Sequence, residues 1–258
     1  MKIFDSHCHL NDRAYDRDID AVISEARSEG VCAMMVVGIT EKTSRRAVEI
    51  AESYEGCRAS VGIHPHDANQ GSKEALSRLK KLAANPKVKA WGETGLDFNR
   101  MHSPPEIQEK WFVRQMEAAG ELGLPLIFHE RDSGGRFLEL LRSHAPENCS
   151  GVVHCFSGTR EEMAQYLEMG YYIGITGILT ISKRGAPLRQ MAAEIPEDRL
   201  LVETDAPYLT PAPEKNTRRR NEPAFVKSVL LKLAEVRNTD PERLAEAIWE
   251  NTCRLFAV

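Results

Sequence analysis

The feature that most constrains this chain is an alternation repeated along its whole length. Short apolar runs of strand character are each followed by a longer amphipathic segment. The apolar runs lie at 3–8, 32–37, 58–63, 88–93, 125–129, 151–155, 171–175 and 200–205. Helices are predicted between them at 16–28, 42–53, 73–84, 105–122, 135–143, 160–168 and 187–194, with two more at 223–236 and 241–256. Eight strands separated by helices imply a parallel sheet. Over 258 residues the economical closure is an α/β fold of the (β/α)8 TIM-barrel type, a single domain over 1–258. A doubly wound open sheet is the competitor. No glycine-rich dinucleotide fingerprint follows the first strand and no Pro-, Gly- and Ser-rich linker divides the chain, and both facts weigh against it. The least regular stretch, 210–222, reads as a long loop after strand eight.

Bulk properties exclude several classes. No stretch approaches the roughly 20 apolar residues of a membrane span. The N-terminus meets acidic and histidine residues at once and lacks a signal peptide's apolar run, so a cytoplasmic protein is expected. The six cysteines form no C-x-x-C pair, which argues against a zinc knuckle or a thioredoxin-type motif, and reduced, buried thiols are the expectation. A net charge of −4 is unlike that of a dedicated duplex-DNA binder. That objection weakens for an enzyme whose bound cations meet the phosphate.

The positions of histidines and acids carry the functional reading. Six of the eight predicted strands end in a residue able to bind a metal: His7 and His9, His64, Glu93, His129, His154, and Glu203 with Asp205. In a barrel the catalytic groups collect at the C-terminal ends of the strands. Side chains alternate along a strand, so His7 and His9 are expected on one face with Asp5 deeper in the barrel, while Cys8 points away. His129 and His154 each end an apolar run, where a buried histidine held by a hydrogen bond is the alternative for either alone. Their equivalent positions favour ligands. Glu203 and Asp205 share a face, and paired buried acids both ionise only beside positive charge. The ligand set exceeds what one cation takes and suggests two, with zinc, manganese and magnesium all suited to mixed imidazole and carboxylate donors. His64 and His66 share a face and are candidates for substrate phosphate or a further cation. His102 and His144 read as solvated surface histidines. Asp97, Asn99 and Arg100 could order Glu93, and Arg131 with Asp132 reads as an exposed ion pair.

Together these residues resemble the TatD family of metal-dependent deoxyribonucleases. The match runs nearly end to end through Phe4-Asp-Ser-His-Cys-His-Leu10, Gly62-Ile-His-Pro-His66, Gly92-Glu-Thr-Gly-Leu-Asp97, His129-Glu-Arg-Asp132, His154-Cys-Phe-Ser-Gly158, Glu203-Thr-Asp-Ala-Pro-Tyr208, Arg219-Arg-Asn-Glu-Pro223 and Asn251-Thr-Cys-Arg-Leu-Phe256. The resemblance implies Mg²⁺- or Mn²⁺-supported hydrolysis of DNA, as a 3′-to-5′ exonuclease preferring single strands. It implies that His7, His9, Glu93 and Asp205 hold one cation, and that Glu93 bridges to a second held by His129 and His154. His64 and Glu203 match positions linked to phosphate or an additional metal. Asp205 is the expected proton acceptor, with Glu203 the runner-up, and Arg219, Arg220 and Asn221 are expected to contact DNA. Glu130 departs from the small residue usual beside the histidine. A monomer is expected.

Three rivals remain. A metal-dependent amidohydrolase or esterase of related barrel type would often bridge its metals with a modified lysine, and no strand end offers one. A non-enzymatic partner protein predicts eroded ligands, and all are present. Ester hydrolysis on mischarged aminoacyl-tRNA could use the same metals.

Overall fold

The computed structural model describes residues 1–147 and 149–258. Eight strands form one sheet in chain order: β1 (Ile3–Cys8), β2 (Val31–Val36), β3 (Cys57–Val61), β4 (Val88–Asp97), β5 (Leu126–Arg131), β6 (Gly151–Val153), β7 (Tyr172–Ile175) and β8 (Leu200–Val202). Each neighbouring pair is parallel. The sheet closes where Cys8 bridges Ala206, with the His9 N–H donating to the Ala206 carbonyl at 2.7 Å and the Asp205 N–H to that of His7 at 2.9 Å. This is the expected (β/α)8 barrel. Outside it pack α1 (Ile19–Ser28), α2 (Glu41–Ser53), α3 (Lys73–Ala83), α4 (Pro105–Leu122), α5 (Arg136–His144), α6 (Arg160–Glu168), α7 (Ala186–Ala192), α8 (Val226–Arg237) and α9 (Pro241–Phe256). Among the described residues no helix is long and apolar enough to cross a membrane.

Two apolar layers follow from strand alternation. Phe4, Ala33, Met35, Ala90, Ile127, Val152, Tyr172 and Leu201 pack inside the barrel with Phe256 of α9. Ile3, Met34, Val36, Trp91, Phe128 and Val153 face the helices. Within that outer layer Phe112 stacks on Phe137 at 5.0 Å, and Phe128 meets Phe137 edge-on at 5.5 Å.

The strand limits differ from expectation in ways that matter. β4 does not stop at Glu93, because Thr94 to Asp97 continue the ladder opposite Phe128 to Arg131. β6 and β8 stop early, which leaves His154, Glu203 and Asp205 just beyond their last residues. Two bulges re-aim side chains. On β1, Asp5 lies opposite Met34 and Cys8 opposite Val36, so three steps on one strand match two on the other. Asp5 is thereby turned to the helix side with Ile3 and Cys8, whereas His7 turns inward. This corrects the expectation that Asp5 shares a face with His7 and His9. Asp5 instead accepts hydrogen bonds from the Thr204 N–H at 2.9 Å and hydroxyl at 2.6 Å, tying β1 to the segment after β8. On β4, Trp91 lies opposite Leu126 and Thr94 opposite Phe128, which puts Gly92 and Glu93 at a second bulge. Past it, a Cβ on Gly95 would lie 1.8 Å from the His129 carbonyl oxygen, so only glycine lets β4 approach β5 this closely.

Phe137 is fully buried between strand and helix layers. Phe137→Ala is expected to lower unfolding stability by about 3–5 kcal/mol. Urea unfolding followed by circular dichroism measures this, and a loss under about 1 kcal/mol would mean that the aromatic layer collapses to fill the space.

Candidate metal centre

Glu93 sits at the middle of the C-terminal mouth and is only 2% exposed. Its two oxygens face different partners. Oε2 lies 3.4 Å from His7 Nε2 and 3.8 Å from His9 Nε2. Oε1 lies 2.8 Å from His129 Nδ1, 3.3 Å from His154 Nε2 and 3.4 Å from His64 Nε2. Asp205 completes the first side, with Oδ1 3.3 Å from His9 Nε2 and 3.7 Å from His7 Nε2. Its carboxylate follows β8 as alternation required, on a backbone at φ 55°. Three groups of donor atoms lie within 4.8 Å of one another: His7, His9 and Glu93; His7, His154 and Asp205; and His64, Glu93 and His129.

The outer partners of three rings would leave their inner nitrogens free for a cation. His9 Nδ1 donates to the Val37 carbonyl at 3.3 Å, His154 Nδ1 to Glu203 at 3.0 Å and His129 Nε2 to Asp97 at 3.2 Å. With a cation bound in the cluster, the inner nitrogen of each would be the unprotonated one. His64 has the opposite arrangement. Its Nδ1 accepts the His66 backbone N–H at 3.0 Å, which puts the proton on Nε2, facing Glu93. A protonated nitrogen is a donor to an anion rather than a ligand to a cation. His64 therefore suits a phosphate oxygen better than a metal, despite its place in the third group.

Electrostatics point the same way. Burial pushes the Glu93 carboxyl up, but the charges of His64 and His154 and hydrogen bonds from His129 and His154 outweigh it and hold it well below the usual range. For His154 burial favours the neutral ring, yet Glu93 and Glu203 hold it well above its ordinary value. The carboxylates thus require positive charge at the centre, and divalent cations supply more of it than imidazolium can. His7 Nε2 and His9 Nε2 lie 3.2 Å apart, close enough to share a hydrogen bond or to ligate one cation together. The residues fit a metal site.

Several expected roles change. Glu203 is fully buried behind His154; its Oε1 also accepts the Cys155 N–H at 2.5 Å, and Oε2 the Ser6 hydroxyl at 3.3 Å. With its oxygens engaged it orients a ring and has no access to a reacting water. Asn221 is buried too, with Nδ2 donating to the carbonyls of Thr204 at 2.9 Å and Tyr208 at 2.5 Å, so it builds a turn instead of touching substrate. Arg220 is held by both oxygens of Asp18 at 2.9 and 2.7 Å and by Glu222 at 2.8 Å. Arg219 is exposed outside the cleft lining. Within the run 218–220, Arg220 braces the loop against the start of α1. His66 donates to Asp97 at 2.7 Å and lines the cleft. Glu130 is occupied by the Ser133 N–H and hydroxyl at 3.0 and 2.7 Å.

Sequence reasoning missed two kinds of residue. Gln115 and Gln108 of α4 are buried and buttress the loops: Gln115 bonds the Ile63 N–H at 2.7 Å and the Thr94 hydroxyl at 2.7 Å, and Gln108 the Asp97 N–H at 2.8 Å. An uninterrupted polar residue on a helix face that otherwise buries Trp111, Phe112 and Met116 was the signal. The second kind is Arg184 after β7, which with Arg100 and Arg131 lines the cleft of about 1100 Å³ over the centre.

A parallel barrel with a histidine and carboxylate centre at its mouth defines a metal-dependent hydrolase. The chain matches the family model described as TatD related DNase over residues 4–257, and it belongs to the TatD family. The 3′-5′ ssDNA/RNA exonuclease TatD of Musicola paradisiaca is 42% identical over 257 residues, covering 98% of this chain and 97% of that protein. YabD of Bacillus subtilis, a metal-dependent hydrolase, is 39% identical over 256 residues and 99% of each chain is covered. Among solved structures, the TatD homologue YJJV of Escherichia coli matches with TM-score 0.92 at 30% identity, covering 99% of this chain and 98% of that one. An organophosphorus hydrolase from Deinococcus radiodurans, at TM-score 0.64 and 15% identity, covers 98% and 92% and shares the fold alone.

Asp97→Asn keeps an oxygen to cap the Asn99 and Arg100 N–H groups but cannot accept equally from both rings. It is expected to weaken Mn²⁺ binding by about 10–100-fold. Titration calorimetry of wild type and variant measures this, and equal affinities would show that Asp97 does not orient His129.

Proposed function

We propose that the chain is a divalent-metal-dependent exonuclease that removes nucleotides from the 3′ end of single-stranded DNA, and of RNA. The observation that carries the reading is the division of donors between the two oxygens of Glu93. His7, His9, Asp205 and Oε2 would hold one cation; His129, His154 and Oε1 would hold a second, with Mg²⁺ or Mn²⁺ the native ions and Zn²⁺ a further candidate. The names of relatives at about 40% identity support the substrate, and extend it from DNA to RNA. All candidate ligands come from one chain, which suits a monomer.

When bound, the cations would polarise the phosphodiester, lower the pKa of an attacking water and stabilise the leaving oxygen. The chain's own residues do the rest. Asp205, which contacts His9 and whose side chain is 14% exposed against 3% for Glu93, accepts the proton of the attacking water. His64 donates its Nε2 proton to a phosphate oxygen. Glu203, Asp97 and the Val37 carbonyl hold His154, His129 and His9 in register, so that no ring must reorganise as charge develops. The amidohydrolase reading is less well supported: among the described residues no lysine lines the cleft.

The test uses 3′- and 5′-labelled single-stranded DNA and RNA with Mg²⁺, Mn²⁺ or Zn²⁺. Stepwise shortening from the 3′ end, abolished by EDTA and restored by added Mg²⁺ or Mn²⁺, is the expected result; absence of cleavage under all three ions sinks the proposal. Asp205→Asn is expected to lower the rate by about 10²–10⁴-fold at saturating Mn²⁺. A full rate with metal bound, checked by calorimetry, would take the proton-accepting role away from Asp205.

A further inference from the structure

Tyr208 is the most exposed of the large hydrophobic side chains among the described residues, at 53%. It is also the sole Phe, Tyr or Trp lining the cleft over the metal centre. Its ring centroid lies 6.0 Å from that of His9, at an interplanar angle of 68°. A lone exposed aromatic on a surface needs no explanation. Three further observations set this one apart. Its turn is rigidly built: the Tyr208 N–H donates to the Asp205 carbonyl at 2.8 Å, and buried Asn221 clamps the Tyr208 and Thr204 carbonyls. Asn221 is itself fixed by the Tyr15 hydroxyl, 2.6 Å from its carbonyl oxygen. The Tyr208 hydroxyl has no hydrogen-bond partner among the described residues, so nothing within the chain fixes the ring's tip. Arg100 and Arg184, lining the same cleft, form no ion pair among the described residues and can meet phosphate oxygens.

We propose that Tyr208 is a base-stacking platform for the nucleotide at the scissile bond. This rests on the nuclease reading above and deepens it. A phosphate on the cluster beside His9 and Asp205 places its nucleoside one sugar away, within reach of the Tyr208 ring. Stacking on an aromatic face is open to every base and needs no base-edge hydrogen bonds, so it secures a single strand without reading its sequence. A base inside a duplex has both faces covered, so the same contact favours unpaired ends. Asn221 and Tyr15 act through this turn as positioning residues.

The experiment compares wild type, Tyr208→Ala and Tyr208→Phe in Mn²⁺ on three single-stranded oligodeoxynucleotides. One is fully based, one has an abasic residue at its 3′-terminal position, and one at the penultimate position. On the fully based strand Tyr208→Ala is expected to raise KM about tenfold, and Tyr208→Phe to stay within about twofold. On one of the two abasic strands the difference between wild type and Tyr208→Ala should vanish, because the base that stacks is gone. A structural role for the side chain would leave that ratio the same on all three strands, and this outcome overturns the proposal. So does a Phe variant as impaired as the Ala variant, which would assign the effect to the hydroxyl. If wild type cleaves none of the strands, the nuclease reading itself fails instead.

Discussion

Burying a carboxylate in a protein interior costs several kcal/mol unless partners replace its water. Glu93 is buried with no lysine or arginine partner among the described residues, and imidazole nitrogens on both sides of it are its compensation. That constraint explains much of the mouth of the barrel. Five histidines converge on two oxygens, and those that would hold a cation must keep the correct nitrogen free for it. The second ring of contacts follows from that need: Val37 for His9, Glu203 for His154 and Asp97 for His129. Removing any of them frees a ring without removing a ligand.

The barrel supplies the convergence by bending two strands locally. An unbroken β1 would carry His7 on the same face as Asp5, against the helices. The bulge between Asp5 and Cys8 reverses that parity and sends His7 inward, while Asp5 stays outside to fasten Thr204. The bulge at Gly92 and Glu93 does the corresponding work on β4. Bulges recur next to active sites because they re-aim one side chain while the flanking ladder stays intact. Here they act on the residues at the two ends of one contact, His7 and Glu93.

This division also shows what could be read from the chain. His7, His9, Glu93, His129, His154 and Asp205 were legible because strand ends in a βα repeat map to one face, and the chemistry of the residue types did the rest. Their outer partners were mostly not legible. Gln115 lies 52 positions from Ile63, and Asp5 lies 199 from Thr204, separations over which local pattern carries no information. The arginine run 218–220 misled for a related reason. Charge clusters are visible in sequence, but whether Asp18 and Glu222 already neutralise a given guanidinium is decided by packing. Arg184, isolated in the loop after β7, carried no signal and yet reaches the cleft.

A net charge of −4 and an acidic centre are unpromising for a protein that handles a polyanion. The arrangement resolves this by confining attraction to where chemistry occurs. In the proposed enzyme, cations at the centre would reverse the sign of the site itself, and Arg100, Arg131 and Arg184 line the cleft above it. Three arginines lining the cleft are few beside the basic tracks of proteins that follow a duplex, and would give a shallower salt dependence. With so little electrostatic grip, a substrate end must be retained by something insensitive to salt and sequence. An aromatic ring carried on a fixed turn beside His9 meets both conditions, and this links the acidity of the chain to the exposure of Tyr208.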